Sequence, residues 1–442
     1  MSSSSDLQSS PEHVVAKRAR ISQWPAVPMT RAFEAIDRIA DKFPPESKGY
    51  PTVALTNGRV IAEDIRAPEN VPKARTSVKD GYAVIAADNL MIRRVAGVAT
   101  AGQPWDGILQ PGECIRISTG AVIPEGADAV VQVEDTTLAG YDGDVEVAIN
   151  ILIAPEVGKD IREKGSDIKE NDVLLENGCE LGPAEIGLLH MFGIQNIEIY
   201  RKPKVCVMST GNELVESYHI CPPQGFIRDS NRPQLLSLFR SQGFKPIDAG
   251  IASDNIDSIE AAIRQASEFA SVIVTSGGVS MGEKDYLKEV LRNRLGFEIS
   301  FGRVWMKPGL PCTVAHGKIN NLPVVVFALP GNPVSSYVCA NLFVTPFLRA
   351  MAGCNRPKQP VIKVKLAAEM RLGPRPEYCR AWLESRCGET FPIANVTGNQ
   401  ISSRLPSLVG AHVLLVIPQS STEKTQLEKG ELVDAIIISS LF

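Results

Sequence analysis

The sequence predicts an α/β plus all-β protein of several domains, with a central, mostly parallel α/β sheet domain, a β-rich insert domain and a C-terminal β-barrel-like domain. Three observations support this fold class. From residue 204, apolar runs alternate with stretches of helical spacing, as in a parallel sheet covered by helices. Residues 66–155 and 358–442 instead contain short β-type runs between turn residues. The length of 442 residues suits roughly three domains.

The N-terminal part is predicted to form a tail followed by a helical linking domain. Residues 1–26 are serine-rich and polar, which predicts a disordered tail. Apolar residues at three- and four-residue steps predict an amphipathic helix over 29–43, ended by Pro44 and Pro45. We expect one linking domain with a second helix near Pro183 to Met191, built from residues 27–65 and 156–200.

The β-rich insert is predicted between the two halves of the linking domain, over residues 66–155. Its β-branched or alternating runs are separated by Gly, Pro and Asp, which is typical of strands joined by turns. The strands are expected at residues 82–85, 114–118, 129–133 and 145–149.

The α/β domain is predicted over residues 201–353 and the barrel over residues 354–442. Alternating strands and helices place the connecting loops at the carboxyl ends of the parallel strands, where such sheets bind ligands. In the α/β domain we expect strands at 204–209, 245–250, 271–275, 301–306 and 323–328, and helices near 232–242, 257–269, 284–293 and 334–351. In the barrel we expect strands at 361–366, 412–417 and 432–438.

Composition argues against several classes of function. The net charge of −4 gives no positive field for nucleic acid, and no apolar stretch approaches the ~20 residues of a membrane span. The nine cysteines contain no CxxC pair and the five histidines are scattered, which argues against a disulfide framework, a zinc site and a Ser-His-Asp triad. Free thiols predict a cytoplasmic protein.

Two glycine loops predict an anion site at the edge of the α/β sheet. One runs from Thr275 to Tyr286 and the other from Leu329 to Ser336, and each follows a run that is typical of a buried strand. Backbone N–H groups of glycine loops can turn toward an oxyanion. Between the loops, Lys307 offers a cation on a Pro-Gly turn, although a surface lysine is the alternative. Neither loop matches a Walker or dinucleotide motif.

Three carboxylates follow strands at the same edge, namely Glu213, Asp254 and Asp285. An anionic substrate beside them needs a cation in between, so Asp254 and Asp285 are predicted to hold Mg²⁺ against phosphate oxygens. A lone Asp at a loop is more often a helix cap or a turn former, and it is the common location of these residues that favours a functional role.

These loops, together with several further motifs, closely resemble the molybdopterin molybdenumtransferase family, with particular likeness to the C-terminal E domain of gephyrin. The resemblance extends over residues 28–442. Its additional motifs are Ser77 to Val84, Ile117 to Ala121, Ser209 to Leu214, Arg228 to Arg232, Arg375 to Tyr378, Thr397 to Gln400 and Ser402 to Arg404.

The resemblance implies the final step of molybdenum cofactor synthesis, in which adenylylated molybdopterin and molybdate give molybdenum cofactor and AMP. It implies Mg²⁺ dependence and a catalytic set of Asp80, Asp167, Asp254, Asp285, Glu213 and Thr119. The substrate-binding set predicted from the loops and the resemblance comprises Ser276, Gly277, Gly278, Ser280, Arg303, Lys307, Pro330, Gly331, Asn332, Pro333, Ser335, Arg380 and Ser403.

One residue departs from the pattern of many family members, which have a second lysine where this chain has Leu310. Arg303 is the candidate replacement cation. The resemblance also implies a homodimer in which Asp80 reaches the neighbouring subunit's site, and transient contacts with a separate molybdopterin adenylyltransferase and with apo molybdoenzymes. The alternative function is that of a non-catalytic, gephyrin-like scaffold which binds receptor or other protein segments.

Overall fold

The computed structural model describes residues 24–88, 90–279 and 286–439, which divide into two compact units. One unit comprises the described residues up to Lys48, Gly58–Val60 and those from Ile199 onward. The other comprises Gly49–Asn57 and Ile61–Glu198. The finer domain bounds expected from the sequence remain predictions. Every helix in the described part of the chain is too short or too polar to cross a bilayer.

Helices form where the sequence has helical apolar spacing. The predicted N-terminal helix is confirmed, but it ends three residues before the expected end, at Ala40. The helices are α1 (Met29–Ala40), α2 (Pro183–Met191), α3 (Asn231–Ser241), α4 (Ile256–Ser267), α5 (Tyr286–Glu289), α6 (Pro333–Cys339) and α7 (Thr345–Met351). A π-helical turn over Val290–Arg294 continues α5, and another over Ala340–Val344 joins α6 to α7.

The β-rich segment contains more strands than the sequence predicted. A six-stranded sheet has the order β7-β4-β6-β5-β9-β8, and two of its strands, β5 and β8, had not been predicted. The first twelve strands are β1 (Ser47–Pro51), β2 (Ile65–Arg66), β3 (Thr76–Ser77), β4 (Gly81–Val84), β5 (Ile92–Ala99), β6 (Glu113–Ile117), β7 (Ala129–Gln132), β8 (Thr136–Asp142), β9 (Val145–Ile151), β10 (Ile161–Arg162), β11 (Val173–Leu175) and β12 (Asn196–Tyr200).

The mostly parallel central sheet is confirmed. It has the order β16-β13-β17-β20-β19-β18, in which the first four strands run parallel and the last two pair antiparallel. The strands of this region are β13 (Val205–Thr210), β14 (Leu214–Val215), β15 (Ile227–Arg228), β16 (Ile247–Ala252), β17 (Val272–Ser276), β18 (Glu298–Phe301), β19 (Thr313–Ile319) and β20 (Leu322–Leu329).

Both faces of the central sheet are buried, which explains the continuous apolar runs in its strands. Val205 and Val207 pack with α1, α3 and α6 on one face. The alternate residues Cys206 and Met208 pack with α4 on the other. Alternate residues of the strands therefore face two apolar layers, one on each side of the sheet, and the helices cover both.

One strand prediction in this domain is wrong, because residues 301–306 do not form a strand over that length. Beyond β18 the chain turns back on itself: Val304 N–H donates to Leu310 O, and Met306 N–H to Val304 O. The sequence also did not predict β19, which pairs with β18. Gly317 and Lys318 interrupt the apolar pattern of β19, so it lacks a clear strand signal. The predicted helix near 284–293 begins partly outside the described residues.

The C-terminal barrel is also confirmed. Five strands close in the order β21-β24-β23-β25-β27 around a core that includes Val364, Ala381 and Leu415. The strands are β21 (Val361–Leu366), β22 (Met370–Arg371), β23 (Glu377–Glu384), β24 (Ile393–Val396), β25 (Val413–Ile417), β26 (Gln426–Leu427) and β27 (Leu432–Ile437).

Candidate functional site

The carboxyl ends of the parallel strands meet at one edge of the central sheet, as the sequence predicted. Ser209 at the end of β13 is in register with Ser276 at the end of β17, and Ser276 is in register with Leu329 at the end of β20. Gly277 N–H donates to Leu329 O at 3.1 Å, just beyond the last strand pair. The two glycine loops therefore leave the sheet side by side.

The first loop requires glycine at two consecutive positions. Gly277 and Gly278 have φ angles of +92° and +70°, in the left-handed region that favours glycine. A Cβ on Gly277 would lie 2.3 Å from Thr210 O, and one on Gly278 would lie 2.7 Å from Thr210 Oγ1. Backbone therefore approaches backbone here, and the loop presents main-chain atoms rather than side chains.

Ser276, which the sequence placed among the substrate-binding residues, is 2% exposed. Its hydroxyl accepts a hydrogen bond from Asn231 Nδ2 at 2.7 Å. The structure thus places the Ser276 side chain beneath the loop rather than on its surface. Ser280 lies outside the described residues.

A cavity of about 440 Å³ lies beside the second loop. Four predicted substrate-binding residues line it: Lys307, Pro330, Asn332 and Ser335. Three segments form its walls, namely the turn after Met306, the start of α6 and loops of the barrel. The remaining lining residues are Pro308, Gly309, Leu310, Pro311, Arg375, Asn399, Gln400, Ile401 and Ser402.

The cations of this cavity are Lys307 and Arg375. Lys307 Nζ lies 3.0 Å from Glu377 Oε1 and donates to Glu377 Oε2 at 3.1 Å. Arg375 Nη1 donates to Met306 O at 3.1 Å, and its guanidinium lies 6.0 Å from the centre of the Trp305 ring. A positively charged wall of this kind suits a small anion.

The backbone of the Lys307 turn pairs with the start of β23. Lys307 N–H donates to Pro376 O, and Tyr378 N–H donates to Lys307 O, each at 2.8 Å. These bonds place Arg375 and Glu377 on either side of Pro376 and next to Lys307. The barrel thereby supplies both a second cation and a counter-ion to the α/β domain.

Neutral buried groups surround these charges. Burial raises the pKa of Tyr378 to about 12 and raises the pKa values of the Cys339 and Cys379 thiols above their usual range. These side chains keep their protons at neutral pH. Of the charged residues, Lys307 and Arg375 line the cavity, and Glu377 pairs with Lys307.

Several predicted substrate residues do not line the cavity. Arg380 is fully buried, and its Nε and Nη2 donate to Ser407 Oγ beneath the barrel loop. Arg303 is half-buried, and its carbonyl accepts the Val27 N–H. Ser402 rather than Ser403 faces the cavity, where its hydroxyl accepts a hydrogen bond from Asn332 Nδ2 at 2.9 Å. Pro333 begins α6, directly behind the second loop.

The predicted carboxylates of the α/β edge lie around the end of β13. Asp254 N–H donates to Asn212 Oδ1 at 2.9 Å, which ties the loop after β16 to the loop after β13. The Glu213 carboxylate folds over Gly211, with Oε2 2.7 Å from the position of a Cβ at that glycine. Asp285 lies outside the described residues. Among the described residues, His, Cys, Asp and Glu form no group of three that is arranged to hold a metal ion.

In the other unit, the structure brings together two of the three predicted catalytic residues. Asp80 Oδ1 accepts the Thr119 N–H at 2.8 Å. Asp167 accepts from Ser166 Oγ at 3.1 Å and pairs with Arg162 at 3.3 Å. All three side chains lie on exposed residues.

Sequence reasoning assigned no role to Arg375, Glu377 and Asn231, although each lies in a motif that carried the family resemblance. Glu377 begins β23 and Arg375 lies two residues before it. The apolar pattern of the sequence did not predict this strand. A run of Arg, Pro and Glu gives no local signal that it will lie against a lysine 70 residues earlier. The long-range pairing of β23 with the Lys307 turn is what makes them site residues.

Comparison with known proteins places these features in one family. Three sequence profiles match in order: "MoeA N-terminal region (domain I and II)" over residues 29–193, "Probable molybdopterin binding domain" over 206–350 and "MoeA C-terminal region (domain IV)" over 363–438. The chain is 37% identical to the molybdopterin molybdenumtransferase of Haemophilus influenzae, over 74% of this chain and 79% of that protein.

The chain is also 35% identical to gephyrin from Dictyostelium discoideum, over 93% of its own length. It spans 63% of that relative, which is less than two thirds of it. Among solved structures, the molybdopterin biosynthesis MoeA protein of Pyrococcus horikoshii matches with a TM-score of 0.74 and 29% identity. That match covers 94% of this chain and 100% of the other.

Proposed function

Because this chain belongs to the molybdopterin molybdenumtransferase family, we propose that it inserts molybdenum into the molybdenum cofactor. Adenylylated molybdopterin and molybdate would be converted to molybdenum cofactor and AMP. The observation that carries the proposal is the cavity beside the second glycine loop, where Lys307 and Arg375 face space for a small anion. The reaction requires two anionic substrates to be held next to each other.

Molybdate is a tetrahedral dianion, and the cavity supplies groups that suit it. Lys307 and Arg375 provide charge-assisted hydrogen-bond donors. Neutral donors include the Asn332 amide and the Ser335 hydroxyl, whose residue is 4% exposed. The rigid Pro308, Pro311 and Pro330 leave little conformational entropy to lose on binding.

The glycine loop is the proposed site for the phosphate of the pterin substrate. Gly277 and Gly278 leave no side chains between a ligand and the main chain. Their positive φ angles, which would strain any other residue, fix the direction of that main chain. The hydrogen bond from Gly277 N–H to Leu329 O sets this loop next to the loop that borders the cavity. The two substrates would therefore lie at adjacent positions of one sheet edge.

We propose that Mg²⁺ assists through Asp254, with Asp285 as the second carboxylate. Asp254 lies at the sheet edge, where its backbone N–H donates to Asn212 Oδ1, and carboxylate oxygens are the donors that Mg²⁺ prefers. The ion would offset phosphate charge, and it usually needs only one or two protein carboxylates in addition to substrate oxygens. Calorimetry with Mg²⁺ on wild-type protein and Asp254→Asn, with and without pterin substrate, tests this assignment.

We further propose that the protein is a cytoplasmic homodimer. It would take its substrate from a separate adenylyltransferase and deliver cofactor to apo molybdoenzymes. Family membership is the basis for each part of this proposal. Light scattering of purified protein tests the dimer. Copurification with an adenylyltransferase or with an apo molybdoenzyme tests the two transfers.

The decisive experiment mixes purified protein with molybdate, Mg²⁺ and adenylylated molybdopterin, and measures AMP release together with activation of an apo molybdoenzyme. We expect both for wild type and a loss of at least tenfold in Lys307→Ala. Lys318→Ala, at an exposed position on β19, is the matched control and should retain activity. Absence of AMP release from folded wild-type protein would favour the scaffold alternative.

A further inference from the structure

One asparagine connects the two substrate loops. Asn231, the first residue of α3, donates from Nδ2 to Ser276 Oγ at 2.7 Å and to Gly331 O at 2.6 Å. Ser276 lies in the first glycine loop, directly before Gly277, whereas Gly331 lies in the second loop, which borders the cavity. A single amide nitrogen therefore bonds to both loops.

The connection continues from Gly331 to the wall of the cavity. Its neighbour Asn332 donates to Ser402 Oγ at 2.9 Å, and Val334 N–H donates to Ser402 O at 3.1 Å. Both Asn332 and Ser402 line the cavity. A displacement of the Gly331 carbonyl would thus move two lining residues that are one and 71 positions away in sequence.

Asn231 itself is held firmly by its neighbours. The adjacent Arg232 is 4% exposed and pairs with Asp229 at 2.9 Å, while its other guanidinium nitrogens bond Asp248 and Glu216. Asp229 in turn accepts from Ser209 Oγ at 3.0 Å, at the end of β13. The start of α3 is therefore fixed to the sheet, so the Asn231 amide is a fixed reference for both loops.

The role of Asn231 goes beyond joining the strands, because the strands are already joined without it. Gly277 N–H donates to Leu329 O at the last register position, and the β17–β20 ladder continues behind it. The hydrogen bonds of Asn231 reach Ser276 in the last register pair and Gly331, two residues past that pair, in the loop segment where a ligand would bind. Two other contacts of Ser276 with the second loop, from Ser276 Oγ to Pro330 O and from Ser336 Oγ to Ser276 Oγ, are long at 3.4 and 3.5 Å.

We propose that Asn231 is a positioning residue that couples the two substrate subsites, so that phosphate-bearing pterin in one raises the affinity of the other for molybdate. This inference rests on the proposed function. A ligand that orders one loop would also order the other, because both loops bond to the Asn231 amide. The second ligand would then lose less conformational entropy on binding. By linkage, molybdate would raise the affinity for pterin by the same factor.

The test measures the dissociation constant of molybdate with and without saturating molybdopterin that lacks the adenylyl group, so that no turnover occurs. For wild type we expect molybdopterin to tighten molybdate binding about five- to tenfold. In Asn231→Ala this ratio should fall to about one, while each ligand alone binds within about threefold of wild type. Ser237→Ala, at an exposed position of the same helix, should behave as wild type.

Asn231→Ser retains one hydroxyl donor and should restore part of the coupling. If the alanine variant does not fold, the ratio of molybdate dissociation constants without and with molybdopterin is measured in the serine variant instead. A wild-type ratio of about one, or an undiminished ratio in the folded variant, would overturn the coupling while leaving the proposed function intact. Failure of wild-type protein to bind molybdopterin and molybdate at all would instead reject the proposed function.

Discussion

Lys307 Nζ lies 3.0 Å from one carboxylate oxygen of Glu377 and 3.1 Å from the other, so Lys307 is already paired before any anion enters the cavity. The Lys307 side chain is 47% exposed and that of Glu377 is 11% exposed. An incoming dianion would approach Lys307 from its open side, while Glu377 remains behind it. Glu377 therefore both orients the ammonium group and repels the ligand, and these effects oppose each other.

We expect Glu377→Gln to tighten molybdate binding by about tenfold, or ~1.4 kcal/mol, because it removes one negative charge next to a dianion. The dissociation constant at fixed ionic strength is the measurement. Glu384→Gln is the control, since Glu384 also lies on β23 and pairs with a cation, Arg386, at an exposed position. Weaker binding by the Glu377 variant would mean that orientation of Lys307 outweighs the repulsion.

Arg375 is predicted to be the cation that replaces the second lysine, which is Leu310 in this chain. Arg375→Ala should weaken molybdate binding by about tenfold or more, since a hydrogen bond to a charged group contributes about 1.5–3 kcal/mol. Arg303→Ala should leave the dissociation constant within about twofold, because Arg303 is not among the residues that line the cavity. A larger loss in the Arg303 variant would restore the sequence-based assignment.

Gly277→Ala should disrupt the glycine loop. The new Cβ would lie 2.3 Å from the Thr210 carbonyl oxygen at a φ of +92°, so we expect about 3 kcal/mol of destabilisation and loss of pterin binding. Gly373→Ala is the control, because a Cβ there meets no atom within 4 Å. Urea unfolding and pterin titration check the two effects, and a Gly277 variant with wild-type stability would contradict the close approach.

The alkaline stability of the β-rich segment should depend on Tyr82. Burial and the hydrogen bond to Glu146 raise the pKa of Tyr82 from 10.0 to about 12. A group with a raised folded pKa stabilises the protein fully below its unfolded pKa, so this contribution is present below pH 10 and is lost as pH rises through 12.

We therefore expect the melting temperature of wild type to fall several degrees more between pH 10 and 12 than that of Tyr82→Phe. Absorbance at 295 nm should show one fewer late-titrating tyrosine in the variant. Tyr141→Phe, at an exposed tyrosine of the same unit, is the control. Parallel melting curves for wild type and Tyr82→Phe would show that this hydroxyl does not titrate as described.

Local pattern predicted the elements whose environment is uniform along their length. In β13, every residue from Val205 to Thr210 is buried, so the run is apolar and easy to recognise. In β19, a glycine and an exposed lysine interrupt the strand near an edge of the sheet, and no clear period results. Helix α2, whose environment is mixed, was predicted at its observed bounds, with Pro183 at the first helical position where proline is favoured.

The candidate site divides in the same way. The nearness of the two glycine loops followed from the rule that parallel strands end at one edge, and Lys307 was predicted as a cation beside them. Glu377 and Arg375 could not be placed, because they depend on the pairing of a barrel strand with a turn of another domain. The position of Asn231 between Ser276 and Gly331 likewise depends on tertiary packing, which no periodicity reports.

The walls of the cavity come from widely separated parts of the chain, from Lys307 to Ser402. During synthesis, the sheet and its glycine loops emerge from the ribosome before the barrel does. Until that moment Lys307 has no carboxylate beside it and the space next to Pro330 lacks its far side. A nascent chain would thus lack Arg375 and the barrel loops that line the cavity, so a truncation before residue 375 should leave no anion cavity even if the sheet folded.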